Sequence, residues 1–163
     1  MKKSLLAALA LFSTSIGLFA QEDTASAPSY SVTADVTFVS KYVFRGVWQQ
    51  DASLQPSIEF AAGGFTAGFW SAQALKDRDA AWSKGTELNF YGGYEFSLPN
   101  DFALSVGVTS YQFPKNRPSL GELSNTFEGS IGISGAVGPV SLGATYFHDW
   151  DLDADTFEFG VSF

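Results

Sequence analysis

The chain has 163 residues, of which 16% are aromatic and only 16% charged, with no cysteine and a formal charge of −8. Seventeen acidic against 9 basic residues exclude a nucleic-acid binder, which needs a basic face to neutralise phosphates. Zero cysteine removes disulfide scaffolds, thiolate metal sites and thiol nucleophiles, and so much aromatic content is foreign to a disordered chain.

Met1-Lys2-Lys3 is a basic start, an apolar run extends from Ser4 to Phe19, and Ala20 precedes Gln21-Glu22-Asp23. That order reads as a secretory signal peptide over residues 1–20, with a run too short for a spanning helix. A short linker, residues 21–30, then leads to one domain over residues 31–163. Lys2 and Lys3 leave with the signal, so the mature chain is more acidic still.

From Ser31 to Trp48 the even positions Val32, Ala34, Val36, Phe38, Tyr42, Phe44 and Trp48 oppose the odd positions Thr33, Asp35, Thr37, Lys41 and Arg45. A period of two with one apolar and one ionic face predicts a strand between two different environments. Leu54 to Ala62 repeats it, with Ile58 and Phe60 against Ser57 and Glu59. Phe65 to Leu75 is the weakest case, because Trp70 and Ala72 fall opposite Phe65, Ala67 and Phe69. Thr86 to Leu98 sets Leu88, Phe90, Tyr94 and Phe96 against Glu87, Asn89 and Glu95. Phe102 to Phe113 follows with Leu104, Val106 and Val108, then Phe127 to Val137 with Ile131 and Ile133 against Glu128. Val140 to His148 and the terminal run Phe157, Phe159, Val161, Phe163 against Glu158 complete eight strands and no helix.

The connections alternate. Gly63-Gly64, Pro99-Asn100-Asp101 and Gly138-Pro139 are tight turns. Gln49–Ser53, Lys76–Gly85, Pro114–Ser124 and Asp149–Asp155 are longer and polar. Short turns on one rim and long loops on the other are the layout of an outer-membrane barrel. The expected fold is therefore all-β: a closed antiparallel up-and-down transmembrane β-barrel of eight strands, exported to a Gram-negative-type outer membrane. Closure is required there because unpaired backbone groups have no water in lipid. Its partners would be outer-membrane lipid, lipopolysaccharide and the barrel-assembly machinery.

Ser40-Lys41-Tyr42-Val43-Phe44-Arg45-Gly46-Val47, Gln55-Pro56-Ser57, Gly64 to Trp70 and Glu87-Leu88-Asn89-Phe90-Tyr91-Gly92-Gly93-Tyr94 resemble stretches of the TorF-type porins, the Gcw_chp family. The likeness covers about Val32 to Phe113 and is looser toward Tyr146–Glu158. It implies an outer-membrane barrel of porin type with no cofactor. Trp48 stands where the family more often has a small polar residue, and family members are typically longer. The apolar alternation ending on Phe163 resembles the signal read by the barrel-assembly machinery, so a natural end there is the expectation.

The candidate lumen-lining residues are Asp35, Lys41, Arg45, Glu59, Glu87, Asn89, Glu95, Glu128 and Glu158. Acids outnumber bases among them, so a pore would favour cations; passage of small solutes is one expected function. A non-conducting structural or adhesive barrel acting through its loops is the alternative, and a lipid-modifying enzyme is a third. Arg45 is expected to pair with Glu158, or with Glu59 given some stagger. His148 has no serine singled out beside it, and Asp149 should face the other way along a strand, so no catalytic residues are assigned. Asp149, Asp151, Asp153 and Asp155 miss the EF-hand pattern, with Ala154 at position six and Gly160 at position twelve, and read as a solvated loop. Trp48, Trp70, Trp82 and Trp150 are expected as interfacial anchors.

Overall fold

The computed structural model describes residues 29–75, 85–117, 120 and 122–163. The expected signal peptide, nearly all of the linker and Trp82 lie outside the described residues. Ten strands run in chain order: β1 (Tyr30–Val39), β2 (Tyr42–Phe44), β3 (Val47–Gln50), β4 (Ser53–Ala62), β5 (Phe65–Ala74), β6 (Thr86–Leu98), β7 (Phe102–Gln112), β8 (Thr126–Val137), β9 (Val140–Asp149) and β10 (Ala154–Ser162). β1 and β4 to β10 form one eight-stranded sheet in sequence order, and each pair of neighbours in it is antiparallel. The eight alternating segments therefore do become one antiparallel meander. Three of its turns use the left-handed backbone at Gly63, at Asn100 and Asp101, and at Gly138, a region open to glycine and tolerated by Asn and Asp.

The first expected strand needs correcting. Ser31–Trp48 is not continuous: it stops at Val39, and β2 and β3 form a separate two-stranded hairpin. Phe44 pairs with Val47, so Arg45 and Gly46, at φ 46° and 79°, are a two-residue hairpin turn with both φ values positive. A reversal of two residues leaves the period-two pattern running on unchanged, which is why alternation did not reveal it.

The sheet's polarity is inverted relative to a water-soluble domain. Among the described residues only Tyr42, Ala72 and Phe113 are buried hydrophobics. The buried positions are instead polar, among them Ser53, Gln55, Ser71, Glu87, Asn89 and Glu128. Val36, Phe60, Phe90, Val106, Ile131 and Phe159 are exposed. Single exposed apolar residues are ordinary, but a band running across every strand of a sheet is not.

The polar face is the concave one. Tyr42 of the hairpin meets Trp70 on β5 with ring centroids 5.4 Å apart, and Arg45 meets Glu158 on β10 at 3.5 Å. A flat sheet would hold β5 and β10 roughly 24 Å apart, so the sheet curls round the hairpin. Its strands are also strongly staggered. One continuous rung runs Thr33, Glu59, Gly68, Tyr91, Thr109, Glu128, Asp149, Ala154. It starts low on β1 and finishes on the first residue of β10. No ladder joins β1 to β10, which are the two ends of the sheet.

Candidate functional site

The hairpin lies against the polar face at the long-loop end, and Arg45 is its anchor. Its Nη1 and Nη2 donate to the two carboxylate oxygens of Glu128 at 2.5 and 3.1 Å. Such a two-point fit is the strong form of an Arg–carboxylate pair. Tyr111 Oη donates to the same carboxylate at 3.0 Å. The guanidinium also lies over Phe147 at 4.6 Å and over Phe44 at 4.8 Å. Burial works against the charge on Arg45, but the hydrogen-bonded Glu128 carboxylate, helped by Tyr111 and Glu158, outweighs it and holds the guanidinium pKa above its ordinary value. A non-glycine residue at positive φ costs about 1–3 kcal/mol and persists where the surroundings over-determine it. Here those surroundings are this carboxylate and the rings around it.

A second set of contacts holds β2. Tyr42 Oη donates to Glu87 Oε1 at 3.4 Å, and Asn89 Nδ2 donates to the same oxygen at 3.0 Å. Phe44 packs on Tyr111 with centroids 5.9 Å apart. Gln49 and Gln50 are buried at the hairpin's end. The long-loop end of the sheet is thus occupied by side chains from β2 and β3.

The expected lumen residues divide into groups. Glu87, Asn89 and Glu128 are buried on the polar face, beside the hairpin. Glu59 lies on the same face and accepts from Tyr91 Oη at 3.0 Å. Gly68 makes room for that contact, since a Cβ there would strike the Tyr91 ring. Asp35 accepts from its own strand, from Thr37 Oγ1 at 2.6 Å. Glu95 and Glu158 share the polar face through their rung partners Ser105 and Thr145 but are exposed. Lys41 departs from expectation. It falls after β1 ends, is exposed, and sits 4.5 Å from the Trp48 ring, so it does not line the polar face.

The expected Arg45–Glu158 pair is present at 3.5 Å, but the closer partner is Glu128, and Glu59 is engaged elsewhere. Face assignment alone could not choose among carboxylates that all point inward. Sequence alone does not single out Tyr42, Tyr111 or Gln49 for this site, because aromatic and amide residues carry no charge signal. The Arg45-Gly46 dipeptide was the one usable clue, as a glycine-containing turn inside a strand pattern.

On the opposite, apolar face His148 Nδ1 lies 2.9 Å from Asp155 Oδ1, which also accepts from Tyr146 Oη at 2.6 Å. The acid beside His148 is therefore Asp155 rather than Asp149. Asp149 Oδ1 accepts from the backbone N–H groups of Asp151 and Leu152 at 3.0 and 2.9 Å, which closes the β9–β10 turn. Among the described residues no group of acidic or histidine side chains has the spacing of a metal site. Trp150 is exposed and stacks on Phe127 at 5.4 Å. Trp70 is on the polar face, opposite Asn89, so it is not an interfacial anchor.

No curated protein and no solved structure matches the chain. A family profile does, over residues 22–161, and its description is a bacterial protein of unknown function, Gcw_chp.

Proposed function

The chain belongs to the Gcw_chp family of bacterial proteins of unknown function, and from that premise we propose that it is an outer-membrane β-barrel enclosing a narrow, cation-preferring path that the β2–β3 hairpin holds shut. The observation that carries this is the inverted polarity: an exposed apolar band on the convex face, with Glu87, Asn89 and Glu128 buried on the concave one. Water does not favour that arrangement, whereas acyl chains outside and a polar interior do. The basic and apolar leader over residues 1–20 and the likeness of residues 40–47 to TorF-type porins support the same reading. Lipid, lipopolysaccharide and the barrel-assembly machinery are its partners in it.

In hydrocarbon the free edges of β1 and β10 would each leave a row of N–H and C=O groups unsatisfied, at several kcal/mol per group. Closure removes them. The rung from Thr33 to Ala154 supplies the stagger that a closed barrel needs. Keeping the polar faces aligned requires an even stagger, and about eight to ten residues brings Asp35 opposite Gly160 or Ser162. A Cβ at Gly160 meets open space. Cysteine at position 35 is therefore expected to form a disulfide with cysteine at 160 or at 162 in outer-membrane preparations, read as a gel shift lost on reduction. Two silent pairs would disprove closure.

With eight strands the interior is only wide enough for side chains to fill, and the hairpin occupies its long-loop end. The lower part carries Asp35, Glu59 and Glu95, which would select cations. In planar bilayers the wild type is expected to show rare openings. Arg45→Ala removes the hairpin's anchor and is expected to raise open probability roughly tenfold or more, with cation selectivity. A large steady wild-type conductance would refute the shut hairpin. If both proteins are silent, the path fails and the second reading stands: a non-conducting barrel acting through its loops, favoured by the same buried hairpin contacts.

A further inference from the structure

The loop-end cavity between the hairpin and the sheet has features that closing a path does not require. It has a volume of about 170 Å³ and is walled by Phe44, Val47, Phe113, Leu123 and Leu152, with Glu87 and Gln49 among its polar lining. Cavities of about 150 Å³ take a benzene-sized guest. Its walls are apolar, and its polar groups are mismatched.

Four charged residues line it: Arg45, Glu87, Glu128 and Asp149. Arg45 is committed to Glu128, and Asp149 to the backbone of the β9–β10 turn. Glu87 is left with two neutral donors, Tyr42 Oη and Asn89 Nδ2, and among the described residues no cation pairs with it. It is buried, and a buried carboxylate with no countercharge is costly. Gln49 is a second polar group left without a match. It is 4% exposed, and its Oε1 has no hydrogen-bond partner. A buried acceptor left unsatisfied is destabilising. The cavity thus offers apolar walls, one carboxylate with no cation beside it among the described residues, and one unused carbonyl oxygen.

We propose that this cavity is a binding site for a small amphipathic organic cation, with an ammonium group on Glu87 and Gln49 Oε1 and an apolar body against Phe44, Phe113 and Leu152. An ammonium has three donors and one positive charge, which is what the two acceptors lack. An anion or a carboxylic acid would add repulsion from Glu87, and a hydrocarbon would leave Glu87 without a countercharge and Gln49 Oε1 unpaired. The site does not depend on whether the barrel conducts, so its failure leaves the bilayer experiment untouched.

The test is calorimetric titration of the full-length protein in detergent micelles, against empty micelles, with 2-phenylethylammonium and its neutral counterpart 2-phenylethanol. Saturable one-to-one binding of the amine is expected, roughly tenfold or more tighter than the alcohol. Glu87→Gln is expected to erase that preference. Should Glu87→Gln not fold, Leu152→Trp at the cavity's exposed rim fills the space, leaves Glu87 intact and is expected to abolish binding. Equal affinity for the two probes, an unchanged preference in Glu87→Gln, undiminished binding in Leu152→Trp, or no saturable binding by the wild type would each overturn the proposal.

Discussion

Ile131→Arg is expected to destabilise the folded protein by about 2–4 kcal/mol in a bilayer, the cost of a basic residue on the lipid face near mid-depth. Ile131 sits near the middle of β8, on the exposed apolar face, and is 49% exposed. The informative control is Leu120→Arg. Leu120 is 67% exposed and lies outside the strands. If water surrounded both sites, the two substitutions would behave alike, each within about 0.5 kcal/mol of zero. If lipid surrounds the sheet, only the first is penalised, although its site is the less exposed of the two. Urea unfolding from lipid vesicles, followed by tryptophan fluorescence, measures both. Equal and negligible effects would remove the membrane reading, because exposure to acyl chains is the sole reason for the asymmetry.

Glu128→Ala is expected to cost about 2–3 kcal/mol, the second large effect. Glu128 is 4% exposed and accepts from Arg45 twice and from Tyr111 once. Removing it leaves a half-buried guanidinium and a phenol without their acceptor. The figure lies below that of a fully dry ion pair because the Arg45 side chain keeps 23% exposure and a weaker contact to Glu158. Glu128→Gln retains an acceptor oxygen and should lose about half as much. Asp155→Ala, an exposed carboxylate on the other face, should be close to neutral. Near-equal effects of Glu128→Ala and Asp155→Ala would mean that the hairpin is not held by this pair.

The expectation of an Arg45–carboxylate pair was sound while its first choice of partner was incomplete, and the reason is geometric. Parity along each strand tells which residues share a face: Glu59, Glu87, Glu95, Glu128 and Glu158 all do. It does not tell which of them lies beneath a turn. That depends on how the sheet curls and on where the chain leaves β1. Lys41 and Arg45 illustrate the same limit, since they have the same parity, yet one stacks on Trp48 in the open and the other reaches β8 and β10.

What the sequence alone determined is the eight segments of the main sheet, the tight turns between them and the composition of each face. Alternation is a local property, set by the backbone's two-residue repeat, and it survives in the string of residues. Tertiary structure decided the rest: that Tyr42–Gln50 folds back as a hairpin, that Glu128 receives Arg45, and that Gln49 and Glu87 border one cavity. The hairpin turns within nine residues, but the other two bring together residues 83 and 38 positions apart, and they exist because eight staggered strands curl about an axis. No local repeat encodes that curvature.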